Sequence, residues 1–199
     1  MPAALECPLK WFLASAQGAP GAGQAQQLGT LVHAIAEHHP HGPLEDMLEE
    51  LETHWDQLGH DDSTWVGRRA HEHARAVVCA LADYVDTVPG AVTTEVRVDV
   101  PLGDLVVGGS IDRLEVVDEG VRVVDLKTGK HPGAKDSGED HPQLATYQVA
   151  LLAHGTSVAG ARLVFLGNEK VERREQSALE GDHLDQWRPV SGLLPRLHP

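Results

Sequence analysis

The segment GGSIDRLEVVDEGVRVVDLKTGK, residues 108–130, constrains the fold and the chemistry of this 199-residue chain more than any other part. Two valine-rich runs flank the tight-turn sequence at 118–120, which predicts an antiparallel hairpin. Asp112 lies on the first strand and Asp125 on the second, so the hairpin could hold both carboxylates within reach of one metal ion. Lys127 follows Asp125 by two residues and therefore points to the same face of its strand.

Two carboxylates and an amine at one place suit metal-assisted hydrolysis. A bound metal ion polarises a scissile phosphate and acidifies a water molecule, and a lysine can orient that water or stabilise developing charge. Taken singly, Asp112 could be a solvated strand residue, and Lys127 could be a strand exit before a turn at Gly129. The three residues together favour the site.

Hydrophobic periodicity predicts helices before this segment and a mixed arrangement after it. The helices are predicted over 26–39, 44–58, 64–85, 142–154 and 179–187. The strands are predicted over 92–100, 105–117 (interrupted at Gly108-Gly109), 121–127, 161–166 and 171–175, and the first three form an antiparallel meander. The expected fold is α/β, with a mixed central sheet flanked by helices. Residues 1–90 form a helical part carrying His33, and 91–199 form the core of one integrated domain.

Composition and charge exclude several classes of protein. No apolar run approaches the roughly 18 residues that cross a bilayer, and the first residues do not resemble a signal peptide. Cys7 and Cys79 lack the spacing of a zinc site or disulfide framework, so a cytoplasmic protein with no membrane association is expected. The net charge of −14 opposes phosphate binding by charge neutralisation. Clustered carboxylates nevertheless suit a metal site, so the domain is expected to bind DNA poorly without a partner.

Five short motifs occur in one order along the chain. They are C-P-L-K-W-F at 7–12, G-T-x-x-H at 29–33, G-x-I-D-R at 109–113, V-V-D-x-K-T-G at 123–129 and Q-x-x-x-Y at 143–147. Each alone is a weak signal, but together they resemble the RecB-type branch of the PD-(D/E)xK nuclease superfamily. The first motif is similar to the opening of the nuclease domain in AddB- and AdnA/AdnB-like helicase-nucleases.

This resemblance implies a restriction-endonuclease-like core and cleavage of DNA, with Mg²⁺ or Mn²⁺, to leave a 5′-phosphate and a 3′-hydroxyl. The implied metal ligands are His33, Glu95, Asp112, Asp125 and the backbone carbonyl of Leu126. The implied catalytic groups are Asp112, Asp125, Lys127, Gln143 and Tyr147. Lys127 would be the catalytic lysine, and Gln143 and Tyr147, one helical turn apart, would brace it and the DNA strand.

The resemblance also implies a setting, which is an exonuclease module of a helicase-nuclease in double-strand-break repair and recombination. The chain has no G-x-x-x-x-G-K-[ST] phosphate loop, so a helicase domain or partner subunit would unwind the DNA. AddB-like relatives use one N-terminal and three C-terminal cysteines for an iron–sulfur cluster. No cysteine follows Cys79, so no cluster is expected, and the chain is either a cluster-free member or a fragment.

Two other functions stay open at this point. The chain could be a nuclease-like domain that no longer cuts and instead binds DNA ends or scaffolds a partner, although such domains normally lose the lysine or an acidic ligand. It could also be a stand-alone structure-specific endonuclease of the same superfamily. Taken singly, His33 could be a packed helix histidine, Glu95 an exposed strand residue, and Gln143 and Tyr147 ordinary residues near the core edge.

Overall fold

A computed structural model describes residues 23–59, 61–102, 105–129, 138–167 and 170–187. The motif at 7–12 lies outside these residues. No helix in the described ranges is long and apolar enough to cross a membrane.

Within the described residues the helical part comprises α1 (Gln24–His38), α2 (Leu44–Trp55) and α3 (Trp65–Val85), close to the predicted bounds. The predicted end of α2 at Leu58 is wrong, because Asp56–Leu58 is a separate 3-10 turn that Gly59 ends with a positive φ of 70°. Thr64 caps α3 by accepting a hydrogen bond from the Gly67 N–H at 3.0 Å. The apolar stripes of the three helices meet in one buried core, which includes Ile35, Met47, Leu51, Val78 and Leu81.

The described residues form one five-stranded sheet in the order β1-β2-β3-β4-β5. The strands are β1 (Val92–Leu102), β2 (Leu105–Val117), β3 (Gly120–Lys127), β4 (Val158–Phe165) and β5 (Glu172–Gln176). The predicted antiparallel meander of β1, β2 and β3 is confirmed. Strand β4 runs parallel to β3 because α4 (Pro142–Ala153) carries the chain across, and β5 pairs antiparallel with β4. A further helix, α5 (Gly181–Trp187), begins two residues after its predicted start.

Helices cover both faces of the sheet. Val124 and Leu126 of β3 pack into the core under α1, α2 and α3. Val123 of the same strand packs with Leu144 of α4 on the opposite face. By strand alternation, Asp125 and Lys127 lie on the α4 face. The predicted α/β fold class, a mixed sheet flanked by helices with a helical N-terminal part, is therefore confirmed.

The predicted interruption of β2 at Gly108-Gly109 is wrong. Strand β2 stays paired with β1 through this point, with Val98 opposite Gly109. A Cβ on Gly109 would lie 3.0 Å from Cε1 of Tyr147 on α4. The glycine therefore permits a close approach of helix and strand and does not end the strand.

Candidate active site

Three of the predicted metal ligands meet between α1 and the first two strands. His33 of α1, Glu95 of β1 and Asp112 of β2 each offer one ligand atom, and these atoms all lie within 4.8 Å of one another. The Nδ1 atom of His33 is 3.4 Å from Oδ1 of Asp112. We call these three residues the acidic cluster.

Helix α1 reaches the sheet because its first turns carry a small residue. A Cβ on Gly29 would lie 3.2 Å from Oγ1 of Thr128, just after β3. The Thr30 hydroxyl donates to the Gln26 carbonyl at 3.1 Å and so satisfies itself within the helix. The G-T-x-x-H and D-x-K-T-G motifs therefore contact each other, and His33 follows one helical turn after Gly29.

Strands β1 and β2 both change course at the acidic cluster. Glu95 has a φ of +50°, and it is the one residue other than glycine with a positive φ in the described ranges. The β1–β2 ladder pairs Thr94 with Arg113 and Val96 with Ile111, but it omits the position of Glu95 and Asp112 between them.

The alternation of side chains breaks at the same point. Ile111 packs in the core beside α4, whereas Arg113 turns to the helical layer and donates to the Pro40 carbonyl at 2.8 Å. In a regular strand these two side chains would share a face. The break leaves Glu95 and Asp112 directed into the site and not into either core.

The Asp112 carboxylate also joins β2 to β3. Its Oδ2 accepts a hydrogen bond from the Leu126 N–H at 2.7 Å. The backbone ladder between these strands ends at Arg113 and Val124, so the side chain continues the connection where the backbones part. The Leu126 side chain is buried in the helical-side core, and the implied role of its carbonyl as a metal ligand stays a prediction.

Asp125 forms a second group with Lys127 and Gln143, which we call the lysine group. Asp125 is 3% exposed, and its Oδ1 accepts from Gln143 Nε2 at 2.7 Å. Its Oδ2 lies 2.7 Å from Lys127 Nζ, an ion-pair contact, yet this oxygen has no well-aligned hydrogen bond within the described residues. Lys127 Nζ also donates to Gln143 Oε1 at 3.4 Å. Asp125 is thus outside the acidic cluster, and its sharing of one metal ion with Asp112 stays a prediction.

Gln143 and Tyr147 lie one turn apart on α4, facing the sheet. Gln143 Nε2 donates to the Tyr147 hydroxyl oxygen at 3.1 Å, in addition to its bond to Asp125. The Tyr147 hydroxyl donates to the Ser110 carbonyl at 2.7 Å. The two residues therefore brace the lysine group against β2.

The electrostatics show a surplus of negative charge. Burial raises the pKa of Asp125 to about 6, and repulsion by Asp112 adds to this while Lys127 opposes it. The hydrogen bond to Asp112 raises the pKa of His33, assisted by the nearby carboxylates and opposed by burial. Both shifts favour the protonated, less negative form of the site.

An open cavity of about 550 Å³ lies over the acidic cluster. Its polar lining residues are Gln26, Thr30, His33, Glu37, Glu95 and Thr128. The site is therefore accessible from solvent along α1.

The donor set fits a divalent cation. Two carboxylates and one imidazole converge, and carboxylate oxygens suit Mg²⁺ and Mn²⁺ while imidazole adds affinity for Mn²⁺ over Mg²⁺. The Oδ2 atom of buried Asp125, which lies 2.7 Å from Lys127 Nζ, is a further carboxylate oxygen close by.

The structure brings into the site one polar residue, Ser110, that the sequence patterns do not predict. The Ser110 hydroxyl donates to Oε2 of Glu95 at 2.7 Å. Ser110 lies inside the G-x-I-D-R motif, but serine is common in strands and turns, so its presence there does not by itself indicate a role in the site. His38 and His39, at the end of α1, both contact the Glu50 carboxylate at 2.8 Å and lie apart from these groups.

Comparison with known proteins gives the family. The sequence profile of the PD-(D/E)XK nuclease superfamily matches residues 2–192. A crystal structure from Eubacterium rectale, provisionally described as an exonuclease, aligns with a TM-score of 0.52 and 13% identity, covering 92% of this chain and 69% of that one. At this identity the likeness shows a shared fold. No protein of curated function has a matching sequence.

Two further solved structures align less closely. SSO0001 has a TM-score of 0.35 and 16% identity, covering 85% of this chain and 76% of its own. VC1899 from Vibrio cholerae has a TM-score of 0.32 and 17% identity, covering 73% of this chain and 44% of its own. At these TM-scores neither likeness shows a shared fold. Because the profile match spans nearly all of the chain and both groups of the site, this protein belongs to the PD-(D/E)XK nuclease superfamily.

Proposed function

We propose that this protein is a Mg²⁺- or Mn²⁺-dependent deoxyribonuclease that degrades DNA from its ends. The observation that carries the proposal is the junction of the acidic cluster with the lysine group through the 2.7 Å hydrogen bond between Asp112 and the Leu126 N–H. A site for a divalent cation and a site for a charged amine are thereby held side by side, an arrangement that suits metal-assisted phosphodiester hydrolysis.

Enzymes of this superfamily generally use divalent metal ions. His33, Glu95 and Asp112 would hold the cation, with Asp125 at the edge of the same site. When bound, such an ion polarises a phosphate oxygen and lowers the pKa of a water ligand.

The protein's own groups have separable tasks. Lys127 is about one-third exposed at its side chain, so its amine can reach a phosphate in the cleft while Asp125 and Gln143 hold it from behind. A fixed positive charge there stabilises the charge that develops on a phosphate oxygen during hydrolysis. The Tyr147 hydroxyl, tied to Ser110, keeps Gln143 in place and so restrains the amine.

The biological setting we propose is the nuclease module of a RecB- or AdnAB-type helicase-nuclease in double-strand-break repair and recombination. The order of the five motifs supports this setting. The net charge of −14 supports it as well, because such a surface repels the phosphate backbone outside the metal site. A helicase domain or partner subunit would then supply both the unwinding and most of the grip on DNA.

A cleavage assay tests the activity directly. We expect purified protein to shorten linear DNA with Mn²⁺ or Mg²⁺, to leave closed circular DNA intact, and to be inactive in EDTA. The new ends should carry a 5′-phosphate, which end-labelling before and after phosphatase treatment reveals. RNA of the same sequence and a closed circle serve as substrate controls.

Three results would contradict parts of the proposal. Cleavage in EDTA would show that hydrolysis needs no metal ion. Cleavage of closed circles would show that the enzyme cuts internally and does not start from DNA ends. A preference for RNA would show that DNA is not the main substrate. Metal binding with no cutting of any substrate, even after a metal titration, would favour a domain that binds DNA without cleaving it.

Replacing His33 by alanine tests the acidic cluster. We expect the affinity for Mn²⁺, measured by calorimetry, to fall roughly 10- to 100-fold, since one of three converging donors is lost. His38→Ala is the matched control, because it removes an exposed histidine from the same helix that pairs with Glu50. Equal Mn²⁺ affinity in the His33 variant and in the control would show that His33 is only a packing residue.

A further inference from the structure

We propose that Ser110 is a positioning residue, which orients Glu95 toward the metal ion and links the acidic cluster to the lysine group. This inference rests on the proposed metal-dependent function, because it assigns Glu95 to a cation. Ser110 lies in the middle of β2, two residues before Asp112.

The Glu95 side of the link is a single short hydrogen bond. The Ser110 hydroxyl donates to Oε2 of Glu95 at 2.7 Å, while Ser110 itself is paired with Arg97 across the ladder. Glu95 is therefore the diagonal neighbour of Ser110 on the next strand, within reach of a short side chain. The bond fixes one carboxylate oxygen of a flexible side chain and leaves the other carboxylate oxygen for a cation.

The other side of the link uses the backbone of the same residue. The Ser110 carbonyl accepts from the Tyr147 hydroxyl at 2.7 Å. The Tyr147 oxygen accepts from Gln143, and Gln143 donates to Asp125 at 2.7 Å. An unbroken series of four hydrogen bonds thus runs from Glu95 through Ser110 to Asp125.

The neighbouring glycine makes this arrangement possible. A Cβ at residue 109 would come within 3.0 Å of the Tyr147 ring, so a larger residue there would push the tyrosine away from the Ser110 carbonyl. The dipeptide Gly109-Ser110 therefore supplies space, one acceptor and one donor at the boundary between the two groups. The periodic pattern of the sequence does not predict these roles of Gly109 and Ser110.

Two substitutions test the role of the Ser110 hydroxyl while leaving the strand intact. Ser110→Ala removes the donor to Glu95 but keeps the backbone carbonyl and the strand. Ser110→Thr keeps a hydroxyl, and threonine is well suited to a strand. Ser157→Ala is the matched control, because its hydroxyl donates to the Glu119 carbonyl at 3.0 Å in a loop beside the start of β3.

The experiment measures the Kd for Mn²⁺ of each full-length variant by calorimetry and by the electron paramagnetic resonance signal of free Mn²⁺, without any DNA. We expect the Kd to rise about tenfold in Ser110→Ala, as the loss of a hydrogen bond to a charged group implies. It should stay within about threefold of wild type in Ser110→Thr and Ser157→Ala. Loss of cleavage in Ser110→Ala should be reversed by raising the Mn²⁺ concentration.

The outcomes are distinguishable. A wild-type Kd in Ser110→Ala would overturn the role of Ser110 while leaving the nuclease proposal intact. An equal loss in Ser110→Ala and Ser110→Thr would mean that the site needs serine for packing, which also overturns it. Failure of the wild type to bind Mn²⁺ would remove the proposed metal-dependent function and this inference with it.

Discussion

Replacing Asp125 by asparagine is expected to abolish cleavage and, in the absence of metal, to make the protein more stable at neutral pH. The two effects have one cause. Asp125 is 3% exposed and is placed where a carboxylate helps a cation, but without the cation the cost of burying its charge exceeds the stabilisation from Lys127. Asparagine has nearly the same shape and carries no charge.

The size of the stability effect follows from the pKa. Burial raises the pKa of Asp125 from 3.8 to about 6. In the window between these values the folded protein binds a proton that the unfolded chain does not, so the stability of the metal-free protein falls as pH rises from about 4 to about 6. At pH 7.5 the ionised carboxylate costs roughly 3 kcal/mol. His33 acts in the same direction at higher pH, because its pKa is also raised and its stabilisation is lost as pH rises through that value.

Chemical unfolding in EDTA tests this prediction at two pH values. Asp125→Asn should be more stable than wild type at pH 7.5 by up to about 3 kcal/mol, and the difference should nearly vanish at about pH 4. Saturating Mn²⁺ should stabilise the wild type far more than the variant. Cleavage in Mn²⁺ should fall about 10³-fold or more, since a charge beside the reacting phosphate is lost.

Asp118→Asn provides the control, because Asp118 is an exposed aspartate in the turn between β2 and β3. It should change neither cleavage nor stability appreciably. Asp125 would be excluded from the site if Asp125→Asn cleaved DNA at the wild-type rate. A variant that is less stable than wild type at pH 7.5 would mean that the ion pair with Lys127 outweighs the cost of burying the carboxylate.

Replacing Lys127 by methionine should slow cleavage without weakening metal binding. Methionine fills similar space but cannot place a positive charge in the cleft. We expect cleavage at saturating Mn²⁺ to fall about 10²- to 10³-fold. The affinity for Mn²⁺ should be unchanged or slightly higher, because a cation that repels the metal ion has been removed 2.7 Å from Asp125.

The stability effect of this variant should have the opposite sign from that of Asp125→Asn. Without Lys127, buried Asp125 loses its counter-charge, so the metal-free protein should lose roughly 1–3 kcal/mol at pH 7.5. Cleavage is measured in single-turnover reactions and stability by unfolding in EDTA. Lys170→Met, which removes an exposed lysine two residues before β5, is the control.

Loss of Mn²⁺ binding together with cleavage in Lys127→Met would show that the lysine maintains the fold of the site and takes no separate part in hydrolysis. Lys127→Arg refines the test. Its planar, branched guanidinium cannot occupy the position of an ammonium that contacts both Asp125 and Gln143. Cleavage by this variant should therefore stay well below the wild-type rate.

Much of the fold could be predicted because its signals are local. The stripe of apolar residues in α3 and the alternation in β1 repeat with the period of the element that they form, so the elements were placed within a few residues. The errors occurred where a local signal had a distant cause. Gly109 resembles a strand break, but its missing side chain makes room for Tyr147 of α4.

Local sequence patterns predict only part of the candidate site. His33, Asp112, Asp125 and Lys127 could be named because their residue types and order resemble a known family. Ser110 could not, since a serine in a strand has no distinctive pattern. Its role depends on a hydrogen bond to Glu95 that requires a particular strand register.

The kinds of elements, their order and the available chemical groups follow from the sequence, because they depend on neighbouring residues and on periodicity along one segment. Which of these groups meet depends on tertiary packing. The contact of Gly29 with Thr128 brings His33 over the sheet, and the missing ladder pair at Glu95 and Asp112 turns both carboxylates into the site. The same packing places Asp125 in the lysine group. Helix docking and strand register bring together residues that are far apart in the chain, and no pattern in neighbouring residues predicts such contacts.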